Sequence, residues 1–172
     1  MSLLRYRAPT GEERPWRFVE IVQGKPLRHP SHPMFVHFPV ALYLAVLVFD
    51  VMSRINPDRA LVRAGTYLLI GAFAGTALAA ITGFVDWWGM VPGSSKRRWA
   101  TRHMLLQLTA AAFFVADFAL RWGNRDAEEA EITWIVLAAI GYAILAVGQW
   151  MGGVLVYEKG MRVATGGARE DA

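Results

Sequence analysis

The sequence predicts an all-α integral membrane protein, a four-helix up-down bundle built as two tandem helical hairpins related by a pseudo-twofold axis. Three observations lead there. The apolar residues make up 55% of the 172. They are gathered into four long runs rather than spread in amphipathic stripes, and such blocks belong in lipid. Short loops join the runs, which makes sequential helices antiparallel neighbours. The two halves also carry matching polar residues: His37, Asp50 and Arg54 in the first, His103, Asp117 and Arg121 in the second.

The first run is 34–52, 19 residues long, and the second is 64–88, 25 residues, with Asp86 near its end. The third is 100–120, with Arg102 and Asp117 near its two ends, and the fourth is 132–156, uncharged. A helix rises 1.5 Å per residue, so about 20 residues cross a hydrocarbon core about 30 Å thick. All four runs meet that length. Pro33 suits the first turn of a helix, where its missing N–H costs nothing. Pro39 sits deeper and is expected to kink the first span near His37. Gly71 and Gly75 on the second span, and Gly148 and Gly152 on the fourth, are small-xxx-small pairs that permit close helix approach. Gly160 is a candidate C-terminal cap. The domain division is then a polar basic N-terminal segment over 1–31, a four-helix domain over 32–163, and a flexible tail over 164–172.

Lys and Arg set the expected orientation. The N-terminal segment, the middle loop with the start of the third span, and the C-terminal stretch together hold thirteen of them. The two remaining loops and span ends hold five: Arg54, Arg59, Arg63, Arg121 and Arg125. The positive-inside rule therefore places both termini in the cytoplasm, in a multi-pass protein of the inner (plasma) membrane. Trp87, Trp88, Trp99, Trp122 and Trp134 sit at the span edges, where amphipathic rings prefer to lie. The polar first thirty residues are not expected to form a signal peptide. There are no cysteines, which excludes disulfides, thiolate metal sites and cysteine nucleophiles. The net charge of +4 is modest and its basic residues cluster at helix ends, so no nucleic-acid partner is expected. No acid–His–Ser set and no phosphate loop is present, so the chain is not expected to be an enzyme by itself.

The four histidines carry the functional question. Three lie between His29 and His37, at the mouth of the first span, and His103 opens the third. If the two hairpins correspond, His37 and His103 are mates at equal depth on diagonal helices. Two opposed neutral imidazoles are an axial pair for b-type haem, and "GAFAGTALAAITG" on the second span leaves room for a flat ring. A divalent-metal site from His32, His37, Asp86 and His103 is the alternative. A third reading is ordinary packing across the bundle, or a proton relay, with His29 and His32 interfacial. Asp86 is expected to cap its helix, pair with Arg102, or take a bond from a histidine. The pairs Asp50–Arg54 and Asp117–Arg121, each four apart on one helix face, are expected to be interfacial pairs that snorkel to water. The acidic "RDAEEAE" reads as a solvated loop before the last span.

The stretches "HPMFVHFPVALYLAVLVFD", "AAITGFVDW" and "GGVLVYEKGM", with a His opening the third span, resemble the prokaryotic domain-of-unknown-function 2231 family of small four-helix membrane proteins. The resemblance covers about Pro30 to Val163. It implies four spans and draws attention to His32, His37, Asp86, His103, Gly153 and Tyr157. Some members of that family are joined to redox domains or encoded near them. The resemblance therefore tilts the expectation towards haem-b electron transfer, alone or as the membrane anchor of a redox complex. The expected partners are the lipid bilayer, a redox partner protein or complex, and a second copy in a homo-oligomer. A non-redox membrane module with a metal site, or a structural partner subunit, is the competing class.

Overall fold

A computed structural model describes the backbone of residues 5–7 and the whole of residues 12–162. The expected flexible tail over 164–172 lies outside the described residues. A short antiparallel pair, β1 (Arg5–Arg7) and β2 (Glu13–Pro15), opens the chain. One helical turn, α1 (Phe18–Val22), follows. Four long helices make up the rest: α2 (Ser31–Ile55), α3 (Arg59–Trp88), α4 (Ser95–Arg121) and α5 (Ile132–Tyr157). Each is long and apolar enough to cross a membrane. In hydrocarbon every backbone N–H and C=O must be satisfied within the segment, which is why the spanning elements are helices.

Three helices begin earlier than their apolar runs, two of them behind polar capping residues. α3 begins behind Asp58, whose Oδ1 accepts from the Ala60 N–H at 2.8 Å. α4 begins behind Ser94, whose Oγ accepts from the Arg97 N–H at 3.1 Å. α2 starts at Ser31, so His32 lies inside regular helix. The helix runs on through Pro39, whose ring packs against Gly75 of α3. At the other terminus Gly160 adopts the left-handed conformation (φ 60°), and the Met161 N–H returns to the Leu155 carbonyl at 2.9 Å.

α2 packs mainly on α3, and α4 mainly on α5. Contacts between the two hairpins, α2 with α5 and α3 with α4, are thinner and similar in extent. This is the expected pair of hairpins. The segment that precedes α2, the stretch from α5 to Arg162 and the α3–α4 loop share the proximal end of the bundle, and the α2–α3 and α4–α5 loops share the distal end. The N-terminal segment folds against the proximal end of α3. Within it Glu20 receives Arg14 through two contacts of 2.8 and 2.9 Å and the Arg17 N–H at 2.9 Å. The Arg14 guanidinium is the main reason the Glu20 carboxyl is lowered to about 2.

Two contacts hold the hairpins together. Midway, Tyr43 of α2 stacks on Phe114 of α4 with centroids 3.8 Å apart, among Val46, Leu69, Ala72, Ala110 and Ala138. Towards the distal end, Asp50, Asp117 and Arg121 are 0% exposed. Arg121 donates to Asp117 of its own helix at 2.9 and 3.0 Å, and across the bundle to Asp50 at 2.6 and 3.1 Å. Its guanidinium lies 5.1 Å from the centre of the buried Trp134 ring. The sequence expectation of two equivalent interfacial pairs is therefore wrong for both. Arg121 and the two carboxylates are buried, because a carboxylate from each hairpin satisfies one guanidinium. Arg54 turns outward to Glu129 instead. The acidic α4–α5 loop is more than a solvated connector: Arg59 meets Glu128 at 2.9 Å, Arg63 meets Asp126 at 2.6 Å, and the Ala130 N–H donates to Ser53 Oγ at 2.9 Å.

Arg121→Ala should be the costliest single charge removal, by about 3–5 kcal/mol, because it leaves two carboxylates in a dry interior. Arg54→Ala should cost under about 1 kcal/mol, since that pair is exposed. Thermal unfolding of the two variants in detergent checks the contrast. Equal melting temperatures would mean that the buried charges do not hold the hairpins.

Candidate functional site

Between the Tyr43–Phe114 stack and the proximal end, the four helices diverge around a cavity of about 500 Å³ with an overwhelmingly apolar lining. Small residues of α3 and α5, including Ala79, Gly83 and Gly152, make the room. The few polar side chains that reach it include Thr76, Gln107, Gln149 and two histidines. Those histidines are His32 and His103. Their ring centroids are 6.3 Å apart and their planes stand at 87°.

Each ring is fixed in the same way. His32 Nδ1 lies 2.8 Å from the Ala79 carbonyl oxygen, and His103 Nδ1 lies 2.7 Å from the Gly148 carbonyl oxygen. A carbonyl only accepts, so both Nδ1 atoms carry the proton. That leaves each Nε2 with its lone pair free, and among the described residues neither Nε2 has a hydrogen-bond partner. Four residues beyond each accepting residue stands a glycine that the ring covers. A Cβ on Gly83 would lie 2.8 Å from His32 Cε1, and one on Gly152 would lie 3.2 Å from His103 Cε1. The two hairpins thus repeat one device: an imidazole from the first helix, bonded to a carbonyl of the second and seated over its glycine.

The remaining candidates separate from this pair. His37 is exposed on the outer face of α2 and does not line the cavity. It is therefore His32, not His37, that the fold brings to His103. Asp86 lies at the cavity's proximal edge and pairs with Arg162, not with Arg102 or a histidine. Tyr157 is 89% exposed, and a Cβ on Gly153 would meet only the Tyr157 ring at 4.0 Å, so neither lines the cavity. Among the described residues, no three His, Cys, Asp or Glu side chains form a group that could hold a metal ion.

A signal in the sequence distinguishes His32 from His37. At 3.6 residues per turn, the 14 residues from His103 to Asp117 make about four turns, and the 18 from His32 to Asp50 make about five. Both histidines therefore share a face with the buried aspartate of their helix. The 13 residues from His37 to Asp50 carry that ring to roughly the opposite face. The separations of 13 and 14 that make His37 look like the mate are close in number and differ in phase. α2 instead holds one extra turn between its histidine and its aspartate.

The family model described as "Predicted membrane protein (DUF2231)" matches residues 28–165. The chain belongs to that family. Its match takes in all four spans, both cavity histidines and the buried Asp50–Arg121–Asp117 cluster. Neither a curated protein nor a solved structure matches the chain.

Gly83→Ala should disturb the site more than Gly152→Ala. The first would press a methyl group inside the closest approach that real Cβ atoms make, and the second requires a shift of only a few tenths of an ångström. Nitrogen-15 chemical shifts of the two labelled imidazoles check this. The His32 Nδ1 resonance should move in Gly83→Ala, while His103 stays near its original position. An unmoved His32 signal would mean that the ring is not seated on this glycine.

Proposed function

We propose that the chain is a haem-b electron-transfer protein of the membrane, with His32 and His103 as the axial ligands. The observation that carries this reading is the pair of Nδ1-anchored imidazoles facing one apolar cavity. Metal-binding histidines characteristically give their other ring N–H to a carbonyl or carboxylate, which fixes the tautomer and raises ligand basicity. Both rings line the cavity with centroids 6.3 Å apart, close enough to serve one bound group. The small residues of α3 and α5 leave space on either side of the line between the rings.

When bound, the haem supplies a one-electron iron couple. The chain supplies the rest. His32 and His103 would hold the group through their free Nε2 atoms. Ala79 and Gly148 hold the rings in place through their carbonyls. The apolar lining excludes water and lowers the local dielectric, one of the protein's means of tuning a reduction potential. Purified protein should show paired α and Soret bands in its reduced-minus-oxidised spectrum. His32→Ala and His103→Ala should each lower haem content or convert the spectrum towards high spin, and His37→Ala should retain the parent spectrum. A colourless protein carrying zinc or copper by mass spectrometry would replace haem with the metal reading. A colourless, metal-free protein would favour a structural subunit.

The proximal end, with both termini, is read as cytoplasmic and the membrane as the inner one. The support is the excess of Lys and Arg at that end. Because the chain has no cysteine, a single introduced thiol is unambiguous. Val91→Cys in the α3–α4 loop should resist an impermeant thiol reagent in intact cells, and Asn124→Cys at the distal end should react. The reverse pattern would invert the orientation.

A further inference from the structure

At the proximal end the cavity adjoins a second, polar recess of about 320 Å³. Asp86, Met90, Met161 and Arg162 line both spaces. The outer recess also takes Gln23 and Lys25 from the N-terminal segment and Lys96 from the first turn of α4. Its charged lining is therefore three cations, Lys25, Lys96 and Arg162, against one anion, Asp86, a net of +2.

These charges are unevenly committed. Asp86 would repel an arriving carboxylate, but Arg162 is paired with it. Lys25 lies 3.4 Å from Glu20, a carboxylate that Arg14 already holds through two shorter contacts. Lys96 has no ion-pair partner among the described residues. It is also one of three consecutive basic residues in a helical first turn that has no acidic residue. The helix dipole disfavours cations there and favours an anion. Arg97 and Arg98 are tied down locally, to the carbonyls of Met90 and Gly93. An apolar chamber lined by two imidazoles thus has beside it a recess whose own lining carries a net charge of +2, with Lys96 unpaired among the described residues.

We propose that this recess binds the two carboxylates of the cavity ligand, with Lys96 and Arg162 as the contacting side chains and Lys25 completing the charge. The inference rests on the haem reading and extends it: the macrocycle enters edge-first from the proximal end and stays with its two propionates in the recess. A ligand of charge −2 at its rim matches a recess of charge +2. Lys96, which has no ion-pair partner among the described residues, gains one.

Titration of the apo-protein in detergent with haemin and with haemin dimethyl ester, whose propionates are uncharged, tests the proposal. Haemin should bind more tightly than the ester by roughly tenfold or more, about the loss of one charged hydrogen bond. Lys96→Gln should raise the Kd for haemin by roughly tenfold and leave the Kd for the ester unchanged. Both ligands should give the same low-spin spectrum. Because Arg162→Gln would strand Asp86, the Asp86→Asn, Arg162→Gln double variant is the second probe, and it too should weaken haemin selectively. If acid and ester bind equally with a His32- and His103-dependent spectrum, the haem reading stands and the recess proposal is overturned; Lys96 then faces lipid headgroups. If neither ligand gives a histidine-dependent spectrum, both fall together.

Discussion

One guanidinium decides how the two hairpins meet. A charge in a dry interior must be paired, and breaking such a pair costs several kcal/mol. Arg121 answers to a carboxylate from each hairpin and to the face of Trp134. The contacts between hairpins are otherwise thin. This cluster and the Tyr43–Phe114 stack therefore fix the register of α2 against α4 over the distal half of the bundle. The proximal half is released from close packing, and the cavity forms there. The space between the histidines follows from where the bundle is tied and where it is not.

The two hairpins answer the same problems with different residues. His32 and His103 use the same carbonyl-and-glycine seat, four residues apart on the partner helix. Asp50 and Asp117 converge on the same place. Arg54 and Arg121, equally spaced from those aspartates, have opposite fates: one is buried and the other pairs with Glu129 outside. A single buried site has room for one guanidinium, so the correspondence must fail at one of the two positions.

The spans were legible because lipid leaves little choice: four apolar runs of sufficient length, short connecting loops and tryptophans at the edges allow few other folds. Helix starts were less legible, since Asp58 and Ser94 extend α3 and α4 beyond the apolar run by capping, a local signal that hydropathy does not register. The site was half legible. His103 was visible from its position, but the sequence offers His32 only as an alternative metal ligand or an interfacial residue and presents His37 as the mate, because near-matching separations along the chain attract notice before helical phase does. The burial of Asp50, Asp117 and Arg121 could not be read from either hairpin alone. An aspartate and an arginine four apart look like a surface pair until the second carboxylate arrives from another helix. Arg162, which neutralises Asp86, belongs to a C-terminal stretch with no apolar pattern to place it.

The Tyr43–Phe114 stack has a consequence for traffic through the membrane. Tyr43 is 1% exposed and Phe114 0%, and beyond them the buried charge cluster closes the same axis. The chamber therefore has an entrance at one surface and a solid floor. A solute admitted from the proximal side meets packed aromatic rings and then a fully committed guanidinium. The fold is a cup, which can hold a molecule within the bilayer.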